Sequence, residues 1–179
     1  MRKVACVIFA IILMALAPAA DAAPLSEIVL TDQDGKAASL ERFKGDWLVV
    51  FFGYTSCPDI CPTGLSTMAS ALDELGPDAA KVVGVFVTVD PVRDTPAVLK
   101  EYVAAFHPRI VGLTGQVSQL HHFAVSLGAG FHKAPGPGDT GAISHASSFY
   151  LIAPDGKLEL TLKDGVSPKT IAARLREYF

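Results

Sequence analysis

The stretch that decides the fold runs from residue 47 to residue 75 and reads WLVVFFGYTSCPDICPTGLSTMASALDEL. Its first eight residues are apolar, β-branched or aromatic, a composition typical of a central strand buried on both faces of a sheet. From Pro62 to Leu75 apolar residues recur at helical spacing and stop before a Gly-Pro pair, which predicts a helix. Cys57 and Cys61 are therefore expected in a short loop that leads from a buried strand into a helix.

The rest of the chain continues the alternation of strands and helices. Three more apolar runs predict strands, namely 82–89, 148–153 and 158–162. Three more helices are predicted, beginning at Pro96, Ser118 and Pro168. A Pro-Asp-Gly-Lys turn between the last two strands is typical of a hairpin. This order predicts an α/β fold with a sheet flanked by helices and an antiparallel hairpin late in the chain.

Length and composition exclude several classes of protein. The 179 residues fit one domain, and a hydrophobic fraction of 50% is too high for a disordered chain. The 15 basic and 18 acidic residues give a net charge of −3 without a dense basic stripe, which argues against nucleic acid as a partner. The three cysteines, Cys6, Cys57 and Cys61, are too few for a disulfide-stabilised scaffold.

The N-terminus has the pattern of an export signal. The basic pair Arg2-Lys3 precedes an uncharged segment over residues 4–20, and Ala20-Asp21-Ala22 has the small-x-small form of a signal-peptidase site. We expect residues 1–22 to be a signal peptide or an N-terminal membrane anchor, since 17 uncharged residues reach the lower limit for a membrane span. Residues 25–179 would then form the folded domain in an exported, oxidising compartment, either periplasmic or anchored to the inner membrane.

The two cysteines of the loop are the most informative pair in the sequence. Thiols four residues apart can converge on one point, where they either form a disulfide or bind one soft metal ion. Pro58 and Pro62 restrict the residues that precede them, and Cys61 is predicted at the N-cap, where the helix dipole favours a thiolate. A structural disulfide that closes so short a loop would stabilise the chain little, so the pair is interpreted as a functional site.

Two thiolates do not complete the coordination of most metal ions, so the five histidines are examined as further ligands. His121 and His122 are neighbours on one predicted helix and cannot both face one site. His107 follows a helix end, where contact with the helix dipole accounts for it. His132 borders a glycine-rich loop, and His145 comes just before a predicted strand, from which it could reach the cysteine loop. Spacing alone leaves both as candidate ligands.

The chain resembles the Sco/SenC family of membrane-associated or periplasmic copper proteins. The resemblance covers residues 25–179 and is carried by GYTSCPDICP at 53–62, VTVDPVRDTPAVLKEYVAAF at 87–106, PRIVGLTG at 108–115, and His145 before SSFYLIAPDG. It implies a thioredoxin-like fold with a central mixed sheet flanked by helices. It also implies that Cys57, Cys61 and His145 bind one copper ion per chain.

The ligand set agrees with copper chemistry, although the sequence departs from the family beside the histidine. Two thiolates and one imidazole form a soft, low-coordinate site that suits Cu(I) and accepts Cu(II), whereas zinc usually takes a fourth ligand. Ser144 and Ala146 stand where the family commonly has an acidic residue and a Ser or Thr. We therefore expect no carboxylate to orient the imidazole, which would weaken copper binding or change its redox behaviour. Asp90 and Arg93 match the family pattern and are expected to form an ion pair.

The resemblance leaves two functions open. The first is a copper chaperone that delivers its ion to the binuclear copper centre of cytochrome c oxidase subunit II and receives it from an upstream periplasmic donor. Such a protein is not an enzyme in the usual sense. The second is a thiol–disulfide reductase that keeps the acceptor's cysteines reduced, in which Cys57 or Cys61 attacks a disulfide and the other resolves the intermediate. Membrane association through residues 4–20 fits either function.

Overall fold

The computed structural model describes residues 25–133 and 143–179, which contain nine strands and four α-helices. The strands are β1 Leu30–Asp32, β2 Ala37–Ala38, β3 Trp47–Gly53, β4 Val82–Thr88, β5 Ile110–Thr114, β6 Phe131–Lys133, β7 Ile143–His145, β8 Phe149–Ile152 and β9 Leu158–Leu162. The helices are α1 Ile60–Leu75, α2 Pro96–Ala104, α3 Val117–Ser126 and α4 Pro168–Arg176.

Seven of these strands form one mixed sheet in the order β2-β1-β5-β4-β3-β8-β9. Strands β3, β4 and β5 are parallel, whereas β8 and β1 pair antiparallel with β3 and β5. The predicted late hairpin is β8-β9, which pairs antiparallel at the edge of the sheet. Strands β6 and β7 form a separate two-stranded ribbon. The predicted fold class, an α/β domain with a central mixed sheet, is confirmed.

The sheet is covered on both faces because β3 is apolar at every position. All seven residues of β3 are buried, and alternate side chains face opposite sides of the sheet. Val49 and Phe51 belong to one hydrophobic layer with residues of α1, α2 and α4, whereas Val50 and Phe52 belong to another with residues of α3. The carboxyl end of β3 is thereby fixed between two cores, directly before the cysteine loop.

The predicted helices are present, with a shift at one end of α1. Thr95 and Ser167 cap α2 and α4 by accepting backbone N–H groups through their side chains, as their Ser/Thr-Pro pairs predicted. Helix α1 begins at Ile60 with Asp59 as its N-cap, so the predicted start at Pro62 is wrong by two residues. Proline is tolerated throughout the first helical turn because the N–H groups there have no intrahelical partner.

The predicted signal peptide or anchor lies outside the described residues. Neither described range, 25–133 or 143–179, contains a helix with the length and apolar character needed to cross a bilayer.

Asp32, at the end of β1, is a buried carboxyl with three partners. Its Oδ1 accepts hydrogen bonds from the N–H groups of Asp34, at 2.9 Å, and Lys36, at 2.8 Å, and its Oδ2 pairs with Arg42. Burial by itself raises the pKa of Asp32, but the bonds from Arg42, Lys36 and Asp34 outweigh it and hold the pKa below its usual value. A depressed folded-state pKa stabilises the fold above the unfolded-state pKa, and this contribution is lost as the pH falls through the folded-state value.

We expect Asp32→Asn to lower the free energy of unfolding by about 1–3 kcal/mol at pH 7, because it weakens the bond to Arg42 and the turn that follows β1. The variant should also lose less stability than the unmodified protein between pH 5 and about pH 3. Urea unfolding at a series of pH values measures both effects. Parallel stability curves for the two proteins across this range would contradict the prediction.

Candidate metal centre

The loop after β3 and the first turn of α1 hold the two cysteines. Since Asp59 is the N-cap, Cys61 is the second residue of the helix rather than its cap. Cys61 is completely buried, whereas Cys57 is half-buried at the edge of the loop. The backbone N–H of Cys61 lies 3.5 Å from Cys57 Sγ, and both thiols are free. The pair is therefore asymmetric, with one sulfur at the surface and one inside.

His145 ends β7 and reaches the buried thiol. Its Nε2 lies 3.5 Å from Cys61 Sγ, although the two residues are 84 positions apart in the chain. Its Nδ1 lies 3.1 Å from the carbonyl oxygen of Ala146. Because a carbonyl can only accept, Nδ1 carries a hydrogen, so in the neutral form of the ring the lone pair is on Nε2, which faces the sulfur. The backbone carbonyl thus orients the ring in place of the carboxylate that the sequence lacks.

Two aromatic rings hold the His145 imidazole from its sides. Phe51 and Tyr54 both lie perpendicular to it, at 88°, with ring centroids 6.5 and 6.0 Å away. Such edge-to-face packing restricts rotation of the imidazole. Both rings come from β3 and the loop after it, so the elements that carry the cysteines also fix the histidine.

The two thiols differ in acidity. Burial raises the pKa of Cys61 to about 12, and the nearby negative charges of Cys57 and Asp94 add to the increase. Burial by itself raises the pKa of Cys57 too, but hydrogen bonds to its sulfur outweigh this effect and hold the pKa below the usual value. These bonds come from the Cys61 thiol, the N–H groups of Asp59 and Cys61, and the Tyr54 hydroxyl. The prediction that the helix start favours a thiolate at Cys61 is therefore wrong. The N–H groups of the first turn face Cys57, and burial dominates at Cys61.

Cys57, Cys61 and His145 lie close together but do not form a complete coordination site. Among the residues that the structure describes, no group of three or more His, Cys, Asp or Glu side chains already surrounds a point where a metal ion could bind. A cleft of about 210 Å³ opens beside them and is lined by Tyr54, Cys57, Ile60, Ile143, Ser144, His145 and Ser147. Cys57 and His145 both line this cleft, so an ion that enters it meets a sulfur and an imidazole.

The other histidines have different surroundings. His107 accepts the N–H of Arg109 at its Nδ1, at 3.1 Å. His121 stacks on Phe131, with a centroid distance of 4.0 Å and an angle of 19°. His132 pairs with Ser144 in the ribbon and is exposed, while His145 pairs with the neighbouring Phe131. Because successive side chains of a strand alternate, His132 projects from the opposite face of the ribbon to Phe131. The structure brings only His145 of these four to the cysteine pair.

One contributor near the site was missed from the sequence, although its motif was recognised. The predicted ion pair between Asp90 and Arg93 is present. The next residue, Asp94, is completely buried and accepts hydrogen bonds from Thr55 in the cysteine loop and from Thr88 at the end of β4. Its place in DPVRDTP was the available signal, but nothing in the spacing showed what the carboxyl touches.

The family assignment rests on comparison with known proteins. A family model described as SCO1/SenC matches residues 18–179. The chain belongs to the SCO1/SenC family. Over 149 residues it is 38% identical to the SCO2-like protein of Rickettsia felis, a match that covers 82% of this chain and 73% of the relative.

Solved structures of SCO1/SenC proteins agree with the fold described above. Bradyrhizobium japonicum ScoI, solved with copper bound, is 37% identical with a TM-score of 0.77, and the match covers 85% of this chain and 97% of ScoI. BsSco is described as a member of the Sco family of cytochrome c oxidase assembly proteins in which a disulfide switch was identified. It is 29% identical with a TM-score of 0.67, over 83% of this chain and 88% of BsSco. The expected thioredoxin-like fold is confirmed by these matches.

Proposed function

We propose that this protein is a copper chaperone that binds one copper ion through Cys57, Cys61 and His145 and delivers it for cytochrome c oxidase assembly. The observation that carries the proposal is the 3.5 Å approach of His145 Nε2 to Cys61 Sγ beside the cleft of Cys57. Copper in the ScoI structure and the oxidase-assembly description of BsSco support it.

The donor set suits copper in both of its common oxidation states. Two sulfurs and one imidazole nitrogen are soft ligands, and a site of three ligands satisfies Cu(I) while still accepting Cu(II). Cys61 and Cys57 must lose their protons on binding, so uptake of copper releases protons. Cys61 is completely buried, which keeps solvent from that side of the ion.

Delivery would proceed by exchange of ligands. Cys57 lines the cleft and is half-buried, whereas Cys61 is completely buried, so thiolates of the acceptor would replace Cys57 first, while Cys61 and His145 hold the ion until the acceptor completes its own site. The proposed acceptor is the binuclear copper centre of cytochrome c oxidase subunit II, and an upstream periplasmic protein would supply the copper. The proposed location is outside the cytoplasm, either free in the periplasm or anchored to the inner membrane by residues 4–20.

Copper titration of residues 25–179 tests the ligand set. We expect one copper per chain and, in the Cu(II) form, absorption from sulfur-to-copper charge transfer. His145→Ala should weaken Cu(I) binding by at least about tenfold, measured by competition with a chelator, and should change the Cu(II) spectrum. His132→Ala is the matched control, since it removes an exposed imidazole from the same ribbon and should bind copper normally. Unchanged stoichiometry, affinity and spectrum for His145→Ala would refute the three-ligand site.

The different exposure of the two thiols also favours a second function, reduction of a disulfide in the acceptor. The half-buried Cys57 thiolate would attack one acceptor sulfur and release the other as a thiolate. Cys61 would then attack Cys57 Sγ, lose its proton and free the acceptor's second thiol. The two electrons come from the cysteine pair, which becomes a disulfide. Reduction of a protein disulfide by the copper-free His145→Ala variant, but not by Cys57→Ser, is the expected result for this function.

A further inference from the structure

Asp94 lies beneath the cysteine loop and joins three parts of the fold. Its Oδ2 accepts hydrogen bonds from the N–H of Thr55, at 3.0 Å, and the hydroxyl of Thr88, at 2.6 Å. Its Oδ1 accepts the hydroxyl of Thr55 at 2.6 Å. Its own N–H donates to the carbonyl of Asp90 at 2.9 Å. The loop after β3, the end of β4 and the segment before α2 therefore meet at one carboxyl group.

The surroundings of Asp94 differ from those of an ordinary buried ion pair. Its side chain is 0% exposed, and within 25–133 and 143–179 no Lys, Arg or His side chain lies in ion-pair distance of it. The neighbouring Arg93 pairs with Asp90 instead. A buried carboxyl must be fully hydrogen-bonded to be tolerated, and two of the three bonds that Asp94 accepts come from Thr55. Asp94 and Thr55 are thus strongly coupled.

Thr55 is two residues before Cys57, so this coupling acts on the accessible copper ligand. The hydrogen bonds that the structure shows for Cys57 are local: its N–H donates to the carbonyl of Tyr54, and its sulfur is bonded by groups of Tyr54, Asp59 and Cys61. Cys61 is held in the core, and His145 is held by perpendicular aromatic rings and the Ala146 carbonyl. The Thr55–Asp94 bonds, which span 39 positions, tie the loop to the β4–α2 connection.

We propose that Asp94 is a positioning residue for copper binding, which acts through Thr55 to hold Cys57 within bonding distance of an ion on Cys61 and His145. The inference rests on the proposed copper function. Groups that orient metal ligands contribute about 10- to 100-fold to metal affinity when they are removed. The bonds from Thr55 perform this orientation for a ligand on a loop, where the backbone alone leaves more freedom.

The inference is tested by measuring Cu(I) affinity and the Cu(II) spectrum in three variants, namely Thr55→Val, Thr55→Ser and Asp94→Asn. Thr55→Val removes one hydroxyl with little change in volume and should lower Cu(I) affinity by about 10-fold or more, with a shifted charge-transfer band. Thr55→Ser keeps the hydroxyl and should restore both values. Asp94→Asn should resemble Thr55→Val; if it does not fold, Thr55→Val alone decides.

Asp32→Asn is the matched control. Asp32 is 1% exposed and its carboxylate, like that of Asp94, accepts three hydrogen bonds, but none of the donors lies between residues 53 and 62. Its variant should lose stability and bind copper normally. If Thr55→Val and Asp94→Asn bind copper like the unmodified protein, the inference is overturned and the proposed function stands. The same holds if Asp32→Asn loses as much Cu(I) affinity as they do. An unmodified protein that binds no copper would overturn both.

Discussion

Alkylation of the reduced, copper-free protein at pH 7 is expected to label Cys57 at least about 1,000 times faster than Cys61. The thiolate is the reacting form, and a pKa of about 12 leaves about one Cys61 in 100,000 as thiolate at this pH. The pKa of Cys57 lies below the usual value, so a larger fraction of it is ionised than of an ordinary cysteine. Complete burial of Cys61 adds a steric barrier to the difference in ionisation.

The pH dependence of labelling checks the cause. The rate at Cys57 should rise with pH and level off at a lower pH than that of a free cysteine peptide, because a lowered pKa completes its ionisation earlier. Cys61 should remain slow over the whole range in which the protein is folded. Iodoacetamide labelling followed by mass spectrometry of the peptides gives both rates, and Cys61→Ser provides the reference for Cys57 alone. Equal rates at the two cysteines would contradict the asymmetry of the pair.

Gly53→Ala is expected to damage both stability and copper binding. A Cβ at position 53 would lie 2.7 Å from Phe86 Cε2 and 2.9 Å from Cys61 Sγ, closer than real contacts allow. Both neighbours are completely buried, so neither can move into solvent. We expect the free energy of unfolding to fall by about 2–3 kcal/mol, towards the upper end of the range for overpacked cores. Displacement of Cys61 Sγ should also weaken copper binding by more than tenfold, since the ligand leaves its place beside His145.

A second glycine in the core separates these two effects. In Gly84→Ala the new Cβ would lie 2.6 Å from Met68 Sδ and 3.0 Å from Ile110 Cγ1, without approaching either thiol. This variant should lose stability, measured by urea unfolding, and keep the copper affinity and Cu(II) spectrum of the unmodified protein. Normal copper binding by Gly53→Ala would show that Cys61 has more room than the structure gives it.

Local patterns predicted the fold well because the interactions that set them are close in sequence. The apolar run of β3 and the Ser/Thr-Pro pairs before α2 and α4 depend on side chains within one element. The ribbon of β6 and β7 was missed because each strand has only three residues, too few for a period to be recognised. The start of α1 was misplaced because proline fits several positions of the first turn.

The candidate site was predictable only to the extent that its parts are neighbours. Cys57 and Cys61 lie in one loop, so their spacing indicated a joint role. Contact of His145 with Cys61, and of Asp94 with Thr55, depends on how the sheet is assembled, which spacing does not reveal. The acidity of Cys61 was misjudged for the same reason, because its complete burial comes from the packing of distant elements.

Within residues 25–133 and 143–179, the ribbon that carries His145 shares no backbone ladder with the seven-stranded sheet, whose strand β3 leads into the cysteine loop. It is attached instead by the buried side chains of Phe131 and Ile143, which pack in the same core as α3, and by the stacking of His121 on Phe131. A displacement of the ribbon would therefore change the distance between His145 and Cys61 without breaking a hydrogen bond of the seven-stranded sheet.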